Sequence, residues 1–257
     1  MVTDELLSQQ VGSTLWVTFN RPEARNALTF AMYEGLARLC SDVDPSVRAV
    51  VMCGAGGKSF AAGTDMTQFR GFQTPQDALD YEEEITRVLT AVEQCPVPTV
   101  AALHGACTGG GGSIAAACDI RIASAQLKFG FPIARTLGNC LNAGNLARLT
   151  ELLGAGRVRE MIFTSRLLGA EESLACGLVT EVLPDEAALM ARAEELAQHL
   201  AGMAPLTLRA TKEAMRRNRE ATAVEDADLI TLCYMSRDFK HGLEAFLSKS
   251  KPEWSGS

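Results

Sequence analysis

The sequence predicts an α/β fold followed by an appended helical region, and three observations carry that reading. Strand-like and helix-like segments alternate through the first two thirds of the chain. The run 47–53 places Val50 and Val51 side by side, as in a strand buried on both faces. After about residue 144, helical periodicity takes over almost without interruption.

The elements follow in order. Residues 15–19 read as a strand paired with 5–11 across a Gly12-Ser13 turn. Thr29 is placed to cap a helix whose apolar positions Met32, Leu36, Leu39 and Val43 recur at helical spacing. The strand 47–53 leads into a glycine-rich loop, 54–57, and then a long helix over 76–94. A strand over 98–103 comes next, and Gly109–Gly112 opens an alanine-rich helix running toward Cys118. Repeated strand–helix–strand units imply right-handed crossovers and parallel pairing. Beyond them, helices are expected over 145–153, 156–165, 170–176, 185–202, 205–220 and 222–247, with one strand at 178–183. A soft boundary lies between 192 and 205, so that residues 1–195 form the α/β core and 196–257 a helical region. No low-complexity linker separates the two, which predicts that they pack together.

Composition narrows the function. Of 257 residues, 47% are hydrophobic and 21% charged, a balance that supports a sizeable core and excludes global disorder. Lys and Arg number 24 against 31 Asp and Glu, a net charge of −7 that argues against nucleic acid as the main partner. No run approaches the ~18 apolar residues of a membrane span, and the opening Met1–Gln10 stretch, with two acids, does not read as a secretory signal. The eight cysteines are scattered, with no CxxC pair and no zinc-ligand spacing. The expectation is a protein of the cytoplasm whose thiols act as small core hydrophobes. No metal, flavin or nicotinamide site is expected.

Two loops combine glycine with a position after a strand, where free backbone N–H groups can meet something negative. In the first, Gly57-Lys58-Ser59 invites a P-loop reading, but the glycine that motif needs five positions earlier is Met52. Gly54 and Gly56 are followed by Ser59, so GxGxxG fails as well. The second loop, His104 to Ile114, carries four successive glycines ahead of a helix. Four glycines point to close approach of a ligand more than to a tight packed turn, because each costs chain entropy. Gly111-Gly-Ser113-Ile-Ala115 also imitates a nucleophile elbow, with His104, His199 and His241 as the available bases for a serine acyl-hydrolase.

Taken in order and spacing, the segments resemble the crotonase superfamily, the enoyl-CoA hydratase/isomerase proteins. The matching stretches are Asn20-Arg-Pro-Glu-Ala-Arg-Asn-Ala-Leu28, Ser59-Phe-Ala-Ala-Gly-Thr-Asp-Met66, His104-Gly-Ala-Cys-Thr-Gly-Gly-Gly111 and Cys118-Asp119. Phe129-Gly-Phe-Pro132, Gly177-Leu-Val179 and Phe246-Leu-Ser-Lys249 extend the likeness nearly to the end of the chain. The resemblance implies a spiral of ββα units, and a substrate that is an acyl-CoA thioester, with coenzyme A as part of the substrate and no separate cofactor. It implies an oxyanion hole made by the backbone N–H groups of Thr64 and Gly110. It places the CoA nucleotide near Ala24, Arg25 and the Ala62 and Asp65 backbone, with Lys249 or Lys251 toward the 3′-phosphate. It implies a homotrimer or homohexamer, with the apolar helices after Asp185 supplying subunit contacts.

The sequence departs from the family at its two usual catalytic glutamates. Ser113 stands at one position and Ile133 at the other. A neutral hydroxyl cannot replace a carboxylate base near neutral pH, and isoleucine transfers no proton. The segment after Pro132 is one residue longer than usual and amide-rich, so Arg135, Asn139, Cys140 and Asn142 become candidates to line an altered pocket. Arg135 reads either as a clamp for an acyl carboxylate or as a partner in a surface ion pair. Cys140 reads as a structural thiol. Three functions stay open: an acyl-CoA enzyme that dispenses with the two glutamates, a CoA-thioester binding protein, and a serine acyl-hydrolase using Ser113.

Overall fold

The computed structural model describes residues 4–221 and 224–256. Among these residues ten strands fall into two sheets. The larger contains β1 (Leu6–Val11), β2 (Thr14–Phe19), β3 (Ala49–Gly54), β5 (Thr99–Leu103), β7 (Ile120–Ser124) and β10 (Glu181–Leu183), paired in that order. β1 and β2 form the expected antiparallel hairpin and every later pair is parallel. The smaller sheet contains β4 (Ser59–Ala62), β6 (Ala106–Thr108), β8 (Lys128–Gly130) and β9 (Leu168–Gly169), the last antiparallel. The chain visits the sheets alternately (β3 then β4, β5 then β6, β7 then β8), with α2 (Pro75–Gln94), α3 (Gly110–Ala117) and the short α4 (Ile133–Thr136) closing successive turns. This is the spiral of ββα units that the resemblance implies.

Local chemistry explains the helix starts. The Thr29 hydroxyl accepts from the Met32 N–H and begins α1 (Phe30–Ser41). Thr74 and Asp77 form a reciprocal capping box, with Pro75 at the first helical position of α2. β3 and β5 are buried on both faces, as the valine run predicts. Val50, Met52, Ala101 and Leu103 face the main core under α1–α3. Ala49, Val51, Val100 and Ala102 face a second cluster roofed by α8 (Glu186–Ala201).

The expected division at 195/196 falls inside α8, whose Leu189, Ala193, Ala197 and Leu200 all belong to the cluster on the sheet. The helix expected over 222–247 is divided: α10 (Ala227–Tyr234) and α11 (Arg237–Ser248) are separate. Ser236 interrupts them because its hydroxyl accepts from the Phe239 N–H and caps α11. Thr222 and Ala223, also expected to be helical, lie outside the described residues. α10 and α11 fold back over α2 and the 3-10 turn Met66–Gly71, making a third cluster of Phe69, Leu137, Ile230, Tyr234, Phe239 and Leu243. Of the smaller sheet, β4 and β6 fall within the two expected loops, and at two to four residues its strands are too short to show alternation. No helix among the described residues is long and apolar enough to cross a membrane.

Candidate active site

The two glycine loops meet at one cavity of about 140 Å³, small beside the ~300–1,000 Å³ of usual ligand pockets. Past the end of β4, Leu28 bridges Thr64: its N–H donates to the Gly63 carbonyl and its carbonyl accepts from the Asp65 N–H, both at 2.8 Å. The bridge uses the groups on either side of Thr64, so the Thr64 N–H is not given to Leu28, and Thr64 lines the cavity. Gly110 is the first residue of α3, so its N–H has no acceptor within the helix. A Cβ on Gly110 would lie 3.1 Å from the Thr64 hydroxyl, so the two residues are direct neighbours.

The four glycines have nearer explanations than ligand approach alone. Gly109 has φ +51°, and a Cβ on Gly110 would sit 1.9 Å from the Tyr33 hydroxyl. At Gly111 it would meet the Ala61 carbonyl at 2.2 Å, and at Gly112 the Phe131 ring at 3.0 Å. Close packing, set aside in the sequence argument, is therefore a principal reason for the run.

Side chains from distant segments form the opposite wall. Thr64 Oγ1 is hydrogen-bonded to the hydroxyls of Tyr33 (2.9 Å) and Tyr81 (3.1 Å), so this side chain is engaged as well as its N–H. Glu82 projects from the buried stripe of α2 and is 5% exposed. Its Oε1 accepts from the Tyr234 hydroxyl at 2.6 Å and its Oε2 from Asn142 Nδ2 at 2.7 Å. Asn142 is held in turn by Thr86 and, as the cap of α5 (Ala143–Leu153), accepts from the Asn145 N–H. Asn139 Nδ2 donates to the Tyr234 hydroxyl at 3.3 Å. Burial pushes Glu82 up to about 7 against the opposing donors Tyr234 and Asn142. Burial also raises Tyr33, Tyr81 and Tyr234, keeping the three phenols protonated.

The expected residues separate into three groups. Thr64, Gly110, Ala62, Ser113, Asn139 and Cys140 line the cavity, together with Ile133. Ser113 Oγ donates to the Gly109 carbonyl at 3.3 Å and accepts from Asn145 Nδ2 at 3.1 Å. No histidine lines the cavity among the described residues: His104 contacts the Gly57 carbonyl, while His199 and His241 lie on α8 and α11. Ser113 therefore lacks the base that an acyl-hydrolase needs. A hydrogen bond with the Cys233 thiol, reinforced by burial, raises Cys140 and keeps it an inert thiol.

Asn142 lies one layer behind the cavity, holding Glu82. Arg135 is exposed on α4 and does not line the cavity, so of its two readings the acyl clamp finds no support here. Ala24 and Arg25 sit beside the end of β4, where the Arg25 carbonyl accepts from the Ala62 N–H. Asp65 is occupied: its carboxylate binds Thr67 and Arg21, and its N–H is given to Leu28. Lys249 and Lys251 are exposed beyond α11, away from the cavity lining.

Tyr33, Tyr81, Glu82, Tyr234 and Asn145 escaped the sequence reading. Glu82 left a legible signal, a carboxylate on the helical stripe that otherwise holds Ala78, Ile85, Leu89 and Val92. Nothing in the local sequence marks Tyr234, whose partner is 152 positions away.

Comparison with known proteins identifies the family. Residues 9–257 match the family model described as enoyl-CoA hydratase/isomerase. The chain is 33% identical over 260 residues to a short-chain-enoyl-CoA hydratase of Clostridium acetobutylicum, covering 98% of each. It is 32% identical over 235 residues to the mitochondrial Delta(3,5)-Delta(2,4)-dienoyl-CoA isomerase of Rattus norvegicus, covering 86% of this chain and 71% of that one. Among solved structures, a methylmalonyl-CoA decarboxylase in complex with 2-nitronate-propionyl-CoA superposes with a TM-score of 0.89 at 26% identity, covering 98% of this chain and 99% of that one. Fold, loop geometry and likeness along the whole chain place this protein in the enoyl-CoA hydratase/isomerase family.

Proposed function

We propose that this protein is an acyl-CoA enzyme that holds the thioester oxygen between the N–H groups of Thr64 and Gly110 and stabilises the enolate formed when the α-carbon gains negative charge. What supports this reading is that Thr64, past the end of β4, and Gly110, the first residue of α3 with its N–H unused by the helix, are direct neighbours lining one cavity. Preset dipoles of this kind stabilise an oxyanion without reorganising as it forms. The acyl group it favours is short, because the cavity is small and Phe69, Leu137 and Tyr234 close it. The coenzyme A nucleotide lies near Ala24, Arg25 and the Ala62–Asp65 backbone, and Lys249 or Lys251 reaches its 3′-phosphate.

With Ser113 and Ile133 at the usual glutamate positions, the reaction is one that runs without that pair: isomerisation, decarboxylation, or hydration with other polar groups. The same loss favours a second reading, a CoA-thioester binding protein without turnover. Incubating the purified protein with crotonyl-CoA, vinylacetyl-CoA and malonyl-type CoA esters, followed by mass spectrometry, separates the two. Conversion without a covalent intermediate supports the enzyme, and tight binding without conversion supports the binder. An acylated Ser113 contradicts both. A homotrimer or homohexamer is proposed on the same resemblance, with exposed Leu206, Met215, Leu229 and Leu232 on the C-terminal helices as contact candidates; sedimentation as a monomer overturns that part.

A further inference from the structure

The cavity has lost the family's two carboxylates yet contains one from elsewhere. Among the described residues that line it, Glu82 is the only aspartate, glutamate, histidine, lysine or arginine. It comes from the middle of α2, far in sequence from either glycine loop. It is not a stray buried charge, because both carboxylate oxygens have dedicated donors, Tyr234 and Asn142. Each donor is itself fixed: Tyr234 receives a hydrogen bond from Asn139, and Asn142 is locked as the cap of α5. A carboxylate so oriented still has lone pairs free for a third partner.

From this arrangement we infer that Glu82 is the proton-transfer residue of the site, with Tyr234 and Asn142 as its positioning residues. The inference rests on the thioester reading above and deepens it by assigning a reaction. A single acid/base group suits a 1,3-proton shift, which uses one proton twice. The Glu82 carboxylate takes a proton from C2 of a short 3-enoyl thioester. The C2–H electron pair moves into the thioester, and the resulting dienolate oxygen is held by the Thr64 and Gly110 N–H groups. The protonated Glu82 then returns the same proton to C4, and the double bond settles between C2 and C3. No oxidant, reductant or water is consumed.

The surroundings suit this cycle. Burial leaves both protonation states of Glu82 accessible near neutral pH. The ionisable groups facing it are Tyr33 of α1, Tyr81 of its own helix, Tyr234 of α10, Asp226 ahead of α10 and Cys140 of the loop before α5. The phenols and Cys140 stay protonated and the Asp226 carboxylate is bonded to the Ala143 N–H. None of these supplies a cation to hold Glu82 ionised.

The test measures conversion of vinylacetyl-CoA to crotonyl-CoA across pH, alongside calorimetric binding of butyryl-CoA, for the full chain and its variants. The wild type is expected to bind butyryl-CoA and to isomerise vinylacetyl-CoA, with kcat/KM rising to a plateau above about pH 7. Glu82→Gln is expected to lose at least ~100-fold in kcat while binding butyryl-CoA within about threefold of wild type. Tyr234→Phe removes a donor that favours the carboxylate, so its pH midpoint moves upward while activity persists above it. This second variant carries the test if Glu82→Gln does not fold. A wild type that binds but does not isomerise, a Glu82→Gln enzyme within threefold of wild-type kcat, or an unmoved midpoint in Tyr234→Phe overturns the assignment of Glu82 alone. A wild type that binds no CoA ester overturns the thioester reading and this assignment with it.

Discussion

One wall of the cavity is made of main chain and the other of side chains, and the two differ in how they tolerate change. On the first, Thr64 and Gly110 offer N–H groups whose positions depend on β4, the Leu28 bridge and the packing of Gly110–Gly112 against Tyr33, Ala61 and Phe131. Substituting the outward side chains around it leaves those dipoles in place, whereas adding one methyl group at Gly110 does not. On the second wall, Glu82, Asn142, Tyr234 and Asn139 act through atoms that any substitution removes. The first wall depends on backbone placement and the second on side-chain identity, so substitutions should disturb them in different ways.

The sharpest break in the comparison comes from the main-chain wall. Gly110→Ala is expected to lower turnover by about 10²–10³-fold, the cost of a displaced oxyanion donor. Its Cβ would land 1.9 Å from the Tyr33 hydroxyl. Adding Tyr33→Phe should recover part of that loss in steady-state assays. Failure of Gly110→Ala to slow the enzyme would mean that this wall plays no part in the chemistry.

The side-chain wall is expected to reveal itself through stability as well as rate. Glu82 is raised from 4.5 to about 7 in the folded protein. Below pH 4.5 it is protonated in both folded and unfolded chains and its contribution is fully present. As pH rises toward and through 7, the unfolded chain ionises first and that stabilisation is lost, on the order of 3 kcal/mol in all. Urea unfolding at pH 5 and pH 8 should therefore show wild type losing stability relative to Glu82→Gln as pH rises; an unchanged difference would place Glu82 in a more solvated setting.

Ser113 stands where the walls join and tests whether the hydroxyl has inherited a glutamate's task. Ser113→Ala should leave turnover within about threefold and cost ~1 kcal/mol in thermal or urea denaturation, because Asn145 Nδ2 loses its acceptor. The smallest effect is expected at Arg135, exposed on α4: Arg135→Ala should change stability by no more than about 0.5 kcal/mol. A large rise in KM there would mean that the guanidinium reaches substrate after all.

The amino-acid order by itself determined the periodic and capped elements: the β1–β2 hairpin, α1 behind Thr29, the two-faced strand β3, and α2 almost to the residue. It also marked the two glycine loops that carry Thr64 and Gly110 and the positions of Ser113 and Ile133, whereas the bridge that brings Leu28 to Thr64 joins residues far apart in the chain. The strands of the smaller sheet, the break between α10 and α11, the inward burial of Glu82 and its pairing with Asn142 and Tyr234 were decided by tertiary structure. Separations of 60 and 152 positions join those side chains. Hydrogen bonds of that range depend on how the spiral closes and how the C-terminal helices fold back, and no local pattern of residues encodes where two distant helices will touch.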